Sequence, residues 1–215
     1  MTEYVLTSAG KKIHEDVVKI HPLVAFNTYV FHIAKYDSNW IEQSRKVTDT
    51  NMSMREWAGL VIHSLALMNL TKSLNLEIGK DFVDGDGVIV KVISDKHLEG
   101  VFVEQTLVTY KAHTDITEGI AERIKAKSDK GEAYAFNKHL IVWCNIDGDL
   151  DIDKIADIVK AGRFNVVNVI GFNGERRLYK SLLFDNDKGL INQYGVLEAD
   201  IVDDKLNKNI DKSET

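Results

Sequence analysis

One cysteine and one proline stand among 215 residues. A lone thiol excludes an intrachain disulfide, so the fold rests on its core; a reducing cytoplasm fits that usage. The one proline, Pro22, is placed either to start a helix or to kink one. No apolar run approaches the ~20 residues that a membrane-spanning helix needs. The N-terminus, Met1-Thr2-Glu3-Tyr4, has no basic region followed by an apolar stretch, so no secretory leader is expected. Positive charge is in deficit as well. The 27 Lys and Arg face 33 Asp and Glu, a formal net charge of −6, so the whole molecule exerts no pull on nucleic acid. That leaves room only for a local basic groove. There is no GxGxxG or P-loop pattern, and no Cys/His pairing spaced for zinc.

What is present is an ordinary globular composition. Apolar residues make up 44% and charged residues 28%, enough at this length for one sizeable domain or a core with a subdomain. The expectation is a soluble, cytoplasmic protein without a membrane partner.

The strongest local signal is the run 101–110, Val-Phe-Val-Glu-Gln-Thr-Leu-Val-Thr-Tyr, which reads as a strand rich in β-branched and aromatic residues. Glu104 sits near its middle. A carboxylate inside a buried strand costs free energy unless it is paired or binds a metal, which makes Glu104 the most informative residue of the chain.

Around it the elements fall into order. Residues 13–47 carry a mostly helical pattern, with His21 and His32 read as surface or core-edge histidines. Ser53-Met54-Arg55-Glu56 is a capping box, and it opens a helix whose stripe is Trp57, Leu60, Val61, Ser64, Leu65 and Met68. His63 on that helix is read as structural. The stretch from Asp81 through Asp84 to Asp86 and Gly87 alternates Asp and Gly and predicts a tight turn. Strand 88–94 and strand 101–110 then form a hairpin across the polar turn 95–100. A helix follows over 115–128, with Lys125 and Lys127 at its end, where the helix dipole favours cations. Strand 139–146, helix 151–161 and strand 164–172 make a βαβ unit, so those two strands are expected to be parallel. Runs 178–184 and 190–197 read equally as short strands or helices. Three parts are expected: a helical segment over 1–52, an α/β core over 53–199 and a polar, disordered tail over 200–215.

This order, with a carboxylate central in the second hairpin strand, resembles the PD-(D/E)XK nuclease-like superfamily over roughly residues 53–172. The resemblance implies an α/β fold: a mixed central sheet with an αβββαβ core under a helical N-terminal layer. It also implies phosphodiester hydrolysis in DNA or RNA with Mg²⁺ or Mn²⁺. Glu104 matches the second acid of the motif, and Asp86, Asp84 or Asp81 the first, so the implied metal ligands are Glu104, Asp86 and Asp84. The family's Lys two positions after the second acid is Thr106 here. If the hairpin turn is centred between His97 and Leu98, Lys91 lies opposite Glu104 and can replace it; Lys125 and Lys127 are further candidates. The implied catalytic set is Glu104, Asp86 and Lys91. Nucleic acid is the implied partner, and a homodimer is a further expectation. The competing reading is a non-catalytic binding or interaction protein on the same fold, in which Glu104 and Lys91 are a cross-strand ion pair and the Asp group merely closes turns.

A second acidic group, Asp147, Asp149, Asp151 and Asp153, follows strand 139–146. Ile152 and Ile158 stand where a calcium loop needs Gly and Glu, and Asp151 where a DxDx(T/V) phosphotransferase motif needs Thr or Val, so helix capping is the expected role. Cys144 inside an apolar strand is read as an inert buried thiol. Arg176, Arg177 and Lys180 form a small basic patch, read as a solvated turn.

Overall fold

A computed structural model describes residues 20–31, 40–42, 52–73, 75–80, 86–94, 97–109, 115–145 and 148–202. Most of the helical pattern over 13–47, the Asp81 and Asp84 positions and the tail beyond 202 lie outside the described residues.

Among the described residues the chain is mixed α/β. Its centre is one seven-stranded sheet in which the strands lie in chain order. These are β1 (Leu76–Gly79), β2 (Gly87–Ser94), β3 (His97–Thr109), β4 (Lys138–Asn145), β5 (Val166–Asn173), β6 (Leu178–Asp185) and β7 (Gly189–Leu197). The first three strands run antiparallel, β3 to β4 and β4 to β5 are parallel, and β5 to β7 are antiparallel again. The hairpin and the parallel βαβ pair are as expected from the patterning. The two runs that read either way, 178–184 and 190–197, are strands, and both pair along most of their length.

Six α-helices accompany the sheet among the described residues: α1 (Pro22–Ala25), α2 (Met54–Thr71), α3 (Ile116–Ser128), α4 (Glu132–Ala135), α5 (Ile152–Ala161) and α6 (Glu198–Val202). Pro22 starts α1 rather than kinking a longer helix, and His21 caps it by accepting from the Leu23 amide. A π-helical turn, Phe26–Phe31, follows directly. The capping box of α2 is closed in both directions: the Glu56 amide donates to Ser53 Oγ and the Ser53 amide donates to Glu56. Asp115 caps α3 and Asp151 caps α5. Asp151 therefore does what an acid at a helix N-terminus does best.

The sheet has two apolar faces. On one, α2 packs with α1 and the π-helical turn around Trp40, Trp143, Tyr179 and Ile141. On the other, α3 and α5 cover Leu140, Val142, Val167 and Phe184. Helix α2 is buried well beyond the predicted stripe, for Ala58, Gly59, Ile62 and His63 are inside too. It lies between the sheet and the N-terminal elements, and the Tyr29 ring stacks on Trp57 at 4.6 Å.

Gly59 sets how closely α2 approaches. A Cβ there would stand 2.2 Å from Gln105 Oε1 and 2.9 Å from Trp143 Nε1. Both are buried and bonded to each other, so neither can step aside freely. Gly59→Ala is therefore expected to lower stability by about 1–3 kcal/mol despite alanine's better helix propensity. Urea denaturation checks this, and a stability gain would show that the helix can move off the sheet.

Candidate functional site

Glu104 lies on the face of β3 that turns toward α3, buried to 7% exposure. It is paired. Its Oε2 accepts from Tyr134 Oη at 2.5 Å and from Lys127 Nζ at 3.1 Å, and its Oε1 accepts from Lys138 Nζ at 3.2 Å. Lys127 comes from α3, Tyr134 from α4 and Lys138 from the first position of β4, so three consecutive elements converge on one carboxylate. The Tyr134 ring carries ammonium groups as well: Lys130 Nζ lies 4.6 Å and Lys138 Nζ 4.7 Å from its centroid. Such contacts are electrostatically favourable on a ring face.

Burial alone would raise the Glu104 pKa. The Tyr134 hydroxyl, then Lys127 and Lys138, outweigh it, and the carboxyl titrates below its ordinary value. The Tyr134 hydroxyl is pushed far up, by burial and then by its bond to Glu104, so it remains a donor.

The hairpin register brings Asp86 to this place. Gly87 pairs with Val103. Asp86 is the next residue outward; its amide donates to Val103 O at 2.8 Å. Its Oδ2 accepts from the Gln105 amide at 2.7 Å. The carboxylate thus bonds to the residue after Glu104 and the amide to the residue before it. Burial raises the Asp86 pKa first; the Gln105 amide lowers it, Glu104 raises it, Lys127 lowers it and Glu56 raises it, for a net rise. Asp86 thus shares its field with Glu104, Glu56 and Lys127, and Arg55 in turn is acted on by Glu56 and Asp86.

Lys91 does not join them. It pairs with Glu99 on one side and Leu76 on the other, and its side chain is exposed. The hairpin ladder closes with Ser94 opposite His97, not about a centre between His97 and Leu98, and its register shifts once more between Val92 and Ser94. The slip moves Lys91 five residues along β3 from Glu104. The cross-strand pairing expected of Lys91 is corrected accordingly, and Glu104's cations come from the α3-to-β4 side. Of the two helix lysines weighed from sequence, Lys127 reaches Glu104, whereas Lys125 lines a groove of about 510 Å³ between α3 and α5. Tyr134 and Lys138 were not foreseen.

On the opposite face, under α2, is a buried polar chain. Ser181 Oγ donates to Asn168 Oδ1 at 2.7 Å, and Asn168 Nδ2 lies 3.0 Å from His63 Nδ1. His63 Nε2 is 2.8 Å from His139 Nδ1. With the Asn168 amide donating to Nδ1, His63 keeps its proton on Nε2 and donates it to His139, so both rings are neutral. Burial drives both imidazole pKa values down, that of His139 to about 4 with Asp185 offsetting part of the fall. His63 is wholly buried, with both ring nitrogens engaged.

Elsewhere, Cys144 is buried and its thiol is pushed up to about 12 by burial, so it is inert at neutral pH. Arg176 and Lys180 are exposed at and beside the turn 174–177, as a solvated turn would have them, whereas the part-exposed Arg177 also pairs its guanidinium with Glu198, which is 2% exposed and accepts from Tyr179 Oη at 3.3 Å. That contact fastens α6 to the start of β6.

Comparison with protein families, curated proteins and solved structures finds no match to this chain. The site must therefore be read from its own chemistry. Among the described residues no group of three or more His, Cys, Asp or Glu side chains could hold a metal ion. A two-carboxylate set remains, Asp86 and Glu104. Mg²⁺ commonly takes one or two protein carboxylates and completes its shell with water and substrate phosphate. Hard oxygen donors of this kind fit Mg²⁺ or Mn²⁺. Asp86 Oδ2 accepts from the Gln105 amide and Glu104 Oε1 from Lys138 Nζ.

Proposed function

We propose that the chain is a divalent-metal-dependent phosphodiesterase of the PD-(D/E)XK type, acting on DNA or RNA. The observation that carries this reading is the placing of Asp86 beside Glu104, with Lys127 and Lys138 within 3.2 Å of the Glu104 oxygens. The order α2, β1, β2, β3, α3, the short α4 and β4 is compatible with an αβββαβ core carrying one added helical turn. Asp86 and Glu104 would hold Mg²⁺ or Mn²⁺. When bound, the ion would lower the pKa of its water and polarise the phosphoryl oxygens. Lys127, on the partly open side, takes the role of the lysine missing at Thr106 and offsets charge on the phosphate under attack. Lys138, only 6% exposed in its side chain, and Tyr134 keep Glu104 ionised and fixed in direction.

A second reading has an observation in its favour. Glu104 already accepts from three donors and is charge-balanced without any ion, as a purely structural carboxylate would be. The site then serves only to fasten α3 and α4 to the sheet.

Metal titration separates the two. In the phosphodiesterase reading, Mn²⁺ at about 100 times its Kd raises the wild-type Tm by roughly 5–10 °C. Glu104→Gln should melt lower without metal, because Lys127 and Lys138 both lose a carboxylate partner, and should not respond to Mn²⁺. A wild-type Tm unmoved by Mg²⁺ and Mn²⁺ leaves the structural reading.

A further inference from the structure

We infer that the groove between α3 and α5 is a binding site for a small uncharged organic molecule, mostly apolar and carrying one hydroxyl; this goes beyond the phosphodiesterase reading and does not depend on it. The groove measures about 510 Å³, within the roughly 300–1,000 Å³ of small-molecule sites. Each helix gives it an apolar wall: Ile124 and Ala121 from α3, Ile158 from α5. Ile124 is buried and the other two are half-buried.

Ser128 is the residue that points to a ligand. It is the last residue of α3, it lines the groove and it is 7% exposed. Among the described residues its Oγ has no hydrogen-bond partner. A buried hydroxyl left unpaired opposes folding. Helical hydroxyls have a ready remedy in the carbonyl four residues back. On α2, Ser64 Oγ donates to Leu60 O at 2.7 Å and Thr71 Oγ1 to Leu67 O at 2.8 Å. Ser128 does not use that remedy, so its hydroxyl is left to the groove. The opposite wall is cut back over the same atom. Gly162, directly after α5, has φ −81° and ψ −171°, a backbone that any residue adopts. A Cβ there would stand 3.3 Å from Ser128 Oγ, as well as 3.1 Å from Val159 O. Glycine at this place keeps the hydroxyl uncovered.

The rim selects the charge class of the ligand. Its cations are Lys125, Lys154 and Arg163 and its anions Glu118, Glu122 and Asp129, three of each sign, with Lys154 ion-paired to Glu118 across the two helices. A balanced rim draws in neither an anion nor a cation. The group in want of a partner is itself neutral. A hydroxyl donates one bond and accepts others, so a hydroxyl on the ligand satisfies Ser128 in either direction.

The test titrates the isotope-labelled full chain with para-cresol, toluene, benzoate and benzylamine and follows the amide chemical shifts. Para-cresol is expected to bind with a dissociation constant of about 1 mM or below and to shift the amides of Ala121, Ser128, Ile158 and Gly162. Toluene, which lacks the hydroxyl, should bind about three- to tenfold more weakly. Benzoate and benzylamine should bind no more tightly than toluene. Ser128→Ala should bring para-cresol down to the toluene level and leave the ligand-free Tm unchanged or higher, since no bond is lost. A ligand-free Tm several degrees lower in Ser128→Ala would show the hydroxyl already bonded and would overturn the inference. So would para-cresol shifts that are absent or lie outside the groove, or tighter binding of benzoate or benzylamine than of para-cresol. Cleavage enters none of these readouts, so their failure leaves the phosphodiesterase reading standing.

Discussion

Asp86→Asn is expected to reduce metal-dependent cleavage by about a hundred- to a thousandfold while leaving the metal-free protein as stable as the wild type, or more so. The argument is electrostatic and geometric together. Asp86 is held beside Glu104 by its bond to the Gln105 amide, and an Asn Oδ1 can accept that same bond. The fold therefore keeps its hydrogen bond and loses a charge that burial, Glu104 and Glu56 all disfavour. A folded-state pKa above the unfolded one means that ionised Asp86 opposes folding at neutral pH, so neutralising it relieves the fold. Glu104 has the opposite sign. Its folded-state pKa is depressed, its charge supports folding above the unfolded pKa, and removing it takes a carboxylate partner from both Lys127 and Lys138. Breaking these pairs should cost about 3 kcal/mol, or roughly 6–12 °C in Tm at this chain length. Two acids of one site that affect activity alike and stability oppositely would mark Asp86 as kept for chemistry. Activity assays beside thermal melts of both variants read this directly. Retention of full cleavage by Asp86→Asn would remove it from the site.

The second large effect is on acid stability. Between pH 6.5 and about 4, the ordinary and the folded-state values for His139, the protein is expected to lose on the order of 3 kcal/mol from this ring alone. The sign follows from the proton count. The folded pKa is the lower of the two, so in this window the unfolded chain binds the proton and the folded chain does not. The stabilisation is complete above pH 6.5 and is lost as pH falls toward 4. His63 adds to the effect in the same direction, by burial and by the His139 charge beside it. The hydrogen-bond chain gives the structural reason: a proton added to either ring sets donor against donor between Asn168, His63 and His139. Asp185 is the acid that softens this for His139. Urea denaturation from pH 7.5 to 4.5 measures the slope, and His139→Gln should flatten it. A wild-type stability constant from pH 7 to 5 would show that the rings are hydrated.

These expectations rest on contacts that the sequence reveals to different degrees. The strand around Glu104, the capping box at Ser53 and the parallel pair β4 and β5 were legible because their signals are local: β-branched runs, a Ser and a Glu three apart, and a ten-residue helix between two apolar stretches. The hairpin register was not. The polar stretch 95–100 holds no Asn-Gly or Asp-Gly to fix its turn, and β3 begins inside it at His97, so Lys91 reads equally well against Glu104 or Glu99. Once the register is known, Asp86 rather than Lys91 is the residue brought alongside Glu104. Lys138 and Tyr134 gave little signal beforehand. A lysine at the head of an apolar strand looks like a solvated end, and only the meeting of α3, α4 and β4 over β3 makes it a buried counter-ion. The same holds for His63 and His139, which lie 76 residues apart and meet only across the α2–sheet interface. Buried polar partners are set by tertiary packing, whereas caps and strands are set by neighbours in the chain.

The central claim, that Asp86 and Glu104 form a metal-dependent hydrolytic site served by Lys127, is tested most directly by incubating the purified wild-type chain with labelled single-stranded DNA and RNA, with Mg²⁺, with Mn²⁺ and with EDTA. Cleavage that requires the metal and falls at least a hundredfold in Lys127→Met, a variant that retains Asp86 and Glu104, is the result expected. Intact substrate under every metal condition, from a protein whose melt shows it folded, would contradict the claim.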